Sequence, residues 1–199
     1  PQTLMLNKFN PDGFSLGNDN TNTNNQAIIS WAWKAGGTPT TDQASQVRTP
    51  TSGALIKDGS FVTTTNYWPT SNIYPKRQSV STTGGFSITQ YVGDGVNSGR
   101  TLPHGLGSAP HWVVIKNLDA TANWIAWHTG LSSNCVIRLN SSNKEDNTSD
   151  NVAPSGDHLI TLGSNNYVIN SSGVNYIMYA WKAVDNVPAF GTYEGDGGS

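Results

Sequence analysis

Charged side chains are scarce in this chain of 199 residues: they make up 12% of it, against a usual share of about 25%. The formal net charge is −2 and no basic run is longer than Lys76-Arg77, so the basic surface of a nucleic-acid-binding protein is missing. Cys135 is the single cysteine, which excludes an intrachain disulfide and a cysteine-based metal site. Apolar runs are too short for a transmembrane helix. We therefore expect neither a nucleic-acid partner nor membrane insertion.

Glycine, asparagine, serine and threonine take the place of the missing charges, with 21 glycines in all. Between them lie short β-branched and aromatic segments, separated by turn signals about every eight to twelve residues. No apolar period of 3.6 residues persists through the glycines and asparagines, which argues against helices. This pattern predicts an all-β protein built of antiparallel β-sandwich modules, jelly-roll-like in arrangement.

One four-residue sequence occurs twice. Ala32-Trp33-Lys34-Ala35 recurs as Ala180-Trp181-Lys182-Ala183, an offset of 148 residues from position 33 to position 181. The flanking segments agree too: Ile29-Ser30-Trp31 with Ile177-Met178-Tyr179, and, with a two-residue difference in length, Phe14–Asn18 with Ile160–Ser164. Tyr91–Gly95 and Tyr193–Gly197 are a second, independent match. Internal self-similarity is the sequence signature of a repeat architecture. The sequence therefore predicts a segment of a repeat array.

The repeat divides the chain into four predicted parts. They are the C-terminal part of a preceding β-module (1–37), a connector with a β-hairpin (38–84), a complete β-sandwich module (85–184) and the start of the next module (185–199). We expect the native polypeptide to continue on both sides with further copies.

Two segments are predicted to be strands, and the second of them, His111–Asn117, is the candidate for a central strand. Ala27–Trp33 is β-branched and aromatic and ends at a glycine pair, and His111–Asn117 is the most continuous apolar segment of the module. In the module we expect four side chains to be buried together: Val113, Ile115, Tyr179 and Trp181. An aspartate at Ile115 should then prevent folding.

The connector has a hairpin signal at Asp58-Gly59, between Ala54–Lys57 and Ser60–Thr63. It also carries four aromatic side chains with little chain around them to form a core: Phe61, Tyr67, Trp68 and Tyr74. We expect these to pack on an adjacent module or on another subunit.

The order of motifs resembles a known repeat. Tyr91-Val92-Gly93-Asp94-Gly95, then His104–Asn117, then Trp124 with Trp127-His128, and finally Ala180-Trp181-Lys182 are similar to a repeat of tail-fibre-like structural proteins of marine bacteriophages, cyanophages especially. Trp31–Thr40 and the connector resemble the linker between such repeats. The resemblance implies a non-enzymatic virion component at the particle surface, assembled as a homotrimer with other virion proteins. It implies no catalytic residues.

Few residues suggest chemistry. His104 opens a glycine-rich loop and is expected to hydrogen-bond the backbone rather than to ligate a metal, since no cluster of metal-ligating residues accompanies it. The aspartates fall mostly in Asp-Gly turns and the two glutamates, Glu145 and Glu194, in polar segments. A capsule polysaccharide depolymerase, which needs two facing carboxylates, is a second alternative function. We expect no cofactor.

The seven tryptophans are candidates for a binding surface. Trp124 and Trp127 are three residues apart, so they lie on opposite faces of a strand, and one of them should lie outside the core of its module. An exposed aromatic ring can stack on a sugar, which makes a carbohydrate-binding adhesin that attaches to host surface glycan the first alternative function. The candidate residues for a glycan site or a subunit interface are Trp124, Trp127, His128, Trp68 and Tyr74.

Overall fold

The computed structural model describes residues 6–10, 13–17, 24–25, 27–97, 99–148, 151–163, 167–185, 190–193 and 195. This part of the chain forms fourteen strands and no helix, so the fold is all-β, as predicted. It accordingly contains no helix long and apolar enough to cross a membrane. The chain divides into two compact units, Pro1–Ala32 and Trp33–Ser199.

The first unit contains one antiparallel hairpin, formed by β1 (Leu6–Asn10) and β2 (Gly13–Leu16). The strand predicted over Ala27–Trp33 is not formed: these residues have no regular structure. A β-strand needs partners for its backbone N–H and C=O groups, and the described residues provide none here. The prediction from residue type was therefore wrong for this segment in this chain.

A nine-stranded sheet forms the main part of the second unit, in the order β11-β10-β9-β8-β14-β6-β5-β3-β4. Its strands are β3 (Leu55–Lys57), β4 (Ser60–Phe61), β5 (Arg77–Ser81), β6 (Phe86–Val92), β8 (Trp112–Asn117), β9 (Ile125–His128), β10 (Cys135–Arg138), β11 (Asp146–Asn147) and β14 (Asn175–Trp181). All pairs are antiparallel except β3 with β5. The sheet is therefore mixed, with β14 in its centre between β6 and β8.

A second, three-stranded sheet has the order β12-β13-β7 and is antiparallel throughout. Its strands are β7 (Arg100–Pro103), β12 (Val152–Ser155) and β13 (Leu159–Leu162). Leu102, Val152 and Ile160 from this sheet share one core cluster with Val113 and Met178 from the larger sheet. The main core is therefore built from both sheets.

Side chains of the central strands alternate between two clusters, as the two-residue period of a strand requires. Val113 and Ile115 belong to the main core, whereas Trp181 and Tyr179 belong to a smaller cluster with Val114. In the register of β14 with β8, Trp181 lies opposite Trp112 and Tyr179 opposite Val114. The expectation that all four side chains are buried together was therefore wrong: they divide between the two faces of the sheet.

The predicted connector is part of the same sheet as the predicted module. β3 and β4 form a hairpin across Asp58-Gly59, as that turn signal predicts, and β5 pairs along its whole length with β6. Asp58 and Gly59 both have positive φ, 48° and 86°, which explains why this dipeptide occurs at the turn. Residues 38–84 therefore supply strands to the larger sheet.

Candidate functional site

The smaller cluster lies on one face of the nine-stranded sheet, which we call the aromatic face and define by Phe86, Trp112, Val114, Tyr179 and Trp181. Trp112 stacks on Trp181 with ring centroids 4.3 Å apart, and Phe86 stacks on the same indole at 5.0 Å. Phe86 and Tyr179 are parallel at 6.3 Å. Phe86, Val114 and Trp181 are buried, whereas Trp112 and Tyr179 are half-buried. Two aromatic rings on this face, those of Trp112 and Tyr179, therefore remain partly accessible.

A segment ahead of the sheet, Trp33–Gly37, packs at one end of the aromatic face. The Trp33 ring lies edge-on to Trp181 at 5.3 Å. The carbonyl of Gly36 accepts a hydrogen bond from the Gly59 N–H at 2.7 Å, and that of Gly37 accepts one from the Ser79 hydroxyl at 2.6 Å. A Cβ on Gly36 would lie 2.0 Å from the Val80 carbonyl oxygen, so only glycine allows this approach.

Phe190 packs near the other edge of the same face. Its ring stacks on His111 at 5.7 Å and is tilted against His128 at 6.3 Å. Burial, and then the charge of His111, lower the pKa of His128 below its ordinary value. The neutral imidazole also accepts a hydrogen bond at Nδ1 from the Gly130 N–H, 3.0 Å away. His128 is thus part of an aromatic contact.

An open groove of about 740 Å³ lies beside the aromatic face. Trp124, 37% exposed, and Tyr179 supply its aromatic lining, and Asn140, Lys116 and Asp119 supply polar groups. Asn140 Oδ1 accepts the backbone N–H of Trp124 at 3.0 Å, which fixes the start of β9. The combination of an exposed indole with fixed amide and charged groups is suited to a polar ligand with one apolar face.

The five predicted site residues are not brought together. Trp124 lies on the groove and His128 near Phe190, whereas Trp127 packs against the main core. Of the two tryptophans, only Trp127 packs against the main core, as their spacing of three residues predicts. The sequence prediction missed the aromatic face because it placed Tyr179 and Trp181 in one core with Val113 and Ile115; alternation along β14 was the available signal.

Trp68 and Tyr74 require a correction. Both are buried in the main core, with exposed fractions of 1% and 7%, and their rings lie 6.1 Å apart. The Trp68 indole N–H donates to Oε1 of the fully buried Gln78 at 2.9 Å. They pack within their own unit because the connector folds into its sheet, so neither ring is available to a ligand or to a second subunit. Of the other connector aromatics, Tyr67 is half-buried and Phe61 is 50% exposed.

The comparisons with known proteins give one match. Residues 57–199 match the model of a family described as Domain of unknown function (DUF7483). The chain belongs to the DUF7483 family. No curated protein and no solved structure matches it. The matched region contains the aromatic face, the groove and all strands of the larger unit from the β3–β4 turn onwards.

In this DUF7483 chain the Gly93-Asp94-Gly95 motif joins the end of β6 to the turn before β14. Asp94 Oδ1 accepts hydrogen bonds from the Val96 N–H at 3.0 Å and from Asn170 Nδ2 at 2.9 Å, and Oδ2 accepts from Arg100 Nε at 2.6 Å. Burial raises the pKa of Asp94, but these hydrogen bonds outweigh it and lower the pKa below its ordinary value. A Cβ on Gly93 would meet the Ser171 carbonyl at 2.2 Å. The motif therefore has a structural role.

His104 also has a structural role. Its Nδ1 accepts the Leu106 N–H at 3.2 Å, as predicted for this loop, and the side chain is fully buried. Burial, followed by the charge of His158, lowers its pKa to about 4, so the ring is neutral. Lys182 Nζ donates to the Leu106 carbonyl at 3.0 Å. Lys182, directly after β14, thereby holds the glycine-rich loop.

Several carboxylates in the described residues are engaged in local contacts. Asp42 forms ion pairs with Arg77 and Lys76, and Asp146 forms one with Arg138. Glu145 accepts two hydrogen bonds from Ser132. In the described part of the chain, no group of three or more His, Cys, Asp or Glu side chains could hold a metal ion.

Proposed function

We propose that this DUF7483 chain is a structural, non-enzymatic component of a bacteriophage particle. In this proposal it forms part of a repeat array in a fibre, spike or other surface appendage, located on the virion surface and involved in host attachment. The motif order along the chain, the low charge and the partly exposed aromatic face support the proposal. It assembles with copies of itself, as a homotrimer in the form that the resemblance implies, and with other virion proteins.

One structural observation supports the proposal of a repeat array. The hairpin β1–β2 pairs Leu6 with Leu16, and β12–β13 pairs Val152 with Leu162, each residue 146 positions later. The loop that joins the two strands is one residue shorter in β1–β2 than in β12–β13. A register shift between Leu6 and Lys8 offsets this difference, so that Leu6 still pairs with Leu16. Two hairpins at this offset, with one equivalent pair and a related second strand, support repetition of one module.

For the module itself we infer an antiparallel β-sandwich. The three-stranded sheet and the nine-stranded sheet share the main core, which supports face-to-face packing of two sheets. The jelly-roll-like connectivity stays a prediction. Stacked modules of this kind bury apolar surface on their neighbours, which suits an extended appendage.

A labelled particle tests the proposed function. An antibody raised against this chain should decorate an external appendage of the phage particle in negative-stain images, and the purified chain should sediment as a trimer. Absence of the chain from purified particles would overturn the virion assignment. A monomer at micromolar concentration, with the antibody still bound to the particle, would overturn only the trimer.

The groove at Trp124 favours carbohydrate binding as a second candidate function. Its exposed indole is the kind of surface on which a sugar ring stacks. On an array of host surface glycans, Trp124→Ala should weaken any binding on the order of tenfold. Leu139→Ala, at another exposed apolar position, is the matched control and should change nothing. An array without any bound glycan would remove this candidate.

A further inference from the structure

The segment Ala27–Trp33 carries the sequence of the central strand β14 without its surroundings. At the offset of 148 residues, Ile29 corresponds to Ile177, Trp31 to Tyr179 and Trp33 to Trp181. In β14 every residue pairs with β6, and all but the first pair with β8. None of residues 27–33 forms a backbone hydrogen bond to another backbone group in the described part of the chain.

The exposure of the side chains also differs between Ala27–Trp33 and β14. Ile28 is 53% exposed, and Ile29 and Trp31 are each 76% exposed. Tyr176, which corresponds to Ile28, is fully buried, and Tyr179 and Ile177 are half-buried. Three large apolar side chains on an unpaired, extended-type sequence are a surface that another protein surface normally covers.

The hairpin β1–β2 shows the same loss of partners. In β12–β13, Val152 and Ile160 are buried because β13 pairs with β7 and the hairpin covers the main core. Their counterparts Leu6 and Phe14 are 38% and 41% exposed. An isolated two-stranded hairpin is marginally stable in water. Both parts of the first unit therefore lack the same set of neighbours.

We propose that residues 6–33 supply the last three strands of a second DUF7483 module, and that Ala27–Trp33 pairs between strands equivalent to β6 and β8. This inference rests on the repeat array of the proposed function and names the partner of its first unit. Alternation assigns the faces: Ile28, Ser30 and Ala32 would point to the main core of that module, as Tyr176, Met178 and Ala180 do here. Ile29, Trp31 and Trp33 would lie on its aromatic face.

A second copy of this chain does not offer this place, because its own β14 already occupies the position between β6 and β8. The open backbone edges of the nine-stranded sheet lie at β4 and β11, each of two residues. Neither is long enough for a seven-residue strand. The partner is therefore a module in which residues 27–33 take the place of β14.

The test adds those strands to the full chain. Residues 33–146 are placed directly before residue 1, which retains the offset of 146 residues between β1 and β12. In this fusion we expect the backbone amides of residues 28–32 to exchange with deuterium at least about 1,000-fold more slowly than in the unfused chain, since central strands open only with large-scale unfolding. The same fusion with Ile29→Pro, which removes one donor from the ladder, should lose this protection.

Rapid exchange of residues 28–32 in the fusion, with β14 still protected, would overturn the proposal. So would protection in the unfused chain that rises with protein concentration, because it would assign the segment to self-association. Neither outcome depends on whether the antibody finds the chain on a phage particle, so failure of this pairing is distinguishable from failure of the virion assignment.

Discussion

Two segments of this chain share the sequence Ala-Trp-Lys-Ala and similar residues before it, but only one of them is a strand. β14 lies between two antiparallel neighbours in the middle of a nine-stranded sheet. Residues 27–33 have no regular structure and expose Ile29 and Trp31. β-branched and aromatic residues fit a pleated, half-buried surface, but they do not create one. The contrast shows that partners at both edges, rather than residue type, determine where this sequence becomes a strand.

The largest expected effect comes from one substitution made in both segments. Met178→Asp places an unpaired carboxylate in the main core, where Met178 is fully buried, and should cost several kcal/mol, enough to prevent folding. Ser30→Asp at the corresponding position should change the stability of the larger unit by less than about 0.5 kcal/mol. Urea denaturation followed by tryptophan fluorescence measures both. A cooperatively folded Met178→Asp variant would contradict the assignment of β14.

Much of the larger unit could be predicted from its residues. The all-β class, the turn at Asp58-Gly59 and the backbone contact of His104 follow from local chemistry, and the structure has each of them. Two predictions failed because they depend on long-range pairing. Trp68 was a candidate for a ligand site or a subunit interface, and its place in the main core depends on Gln78 of β5. The strand at Ala27–Trp33 was predicted from residue types alone, and none of the described residues pairs with its backbone.

Acid should reduce the stability of the larger unit through His104. Its pKa of about 4 in the folded chain lies below the ordinary 6.5, so the unfolded chain binds a proton first as the pH falls. The stabilisation is complete above pH 6.5 and is lost between about pH 6.5 and pH 4, about 3 kcal/mol in all. Denaturation at pH 7, 5.5 and 4.5 measures it. The His104→Asn variant should be less stable at pH 7, and its free energy of unfolding should depend less on pH. If that free energy fell with pH as steeply as in the unsubstituted protein, the burial argument would be contradicted.

Matched glycine substitutions compare the packed segment with the exposed hairpin. Gly36→Ala brings a Cβ against the Val80 backbone and should destabilise the larger unit by about 1–3 kcal/mol. Gly13→Ala, where a Cβ meets nothing within 4 Å, is the control and should leave the unit unchanged. Thermal melting measures both. Equal melting temperatures for the two variants would show that Trp33–Gly37 does not pack on the sheet.

The smallest expected difference separates the two lysines of the repeated motif. Lys182→Ala removes the hydrogen bond to the Leu106 carbonyl and should cost about 1 kcal/mol. Lys34→Ala, at the corresponding position before the sheet, should cost less than about 0.5 kcal/mol. Chemical denaturation resolves this difference. A larger loss of stability for Lys34→Ala than for Lys182→Ala would contradict the roles assigned to the two copies of the motif.

Hydrogen exchange on the unmodified 199-residue chain tests the central contrast most directly, because it compares both copies in one sample. We expect the amides of residues 28–32 to exchange within seconds at neutral pH and those of residues 176–180 to exchange at least about 1,000-fold more slowly, since only the second copy has its backbone paired on both sides. Equal protection of the two segments at low protein concentration would contradict the account, because it would mean that this sequence forms a stable strand without the neighbours of β14.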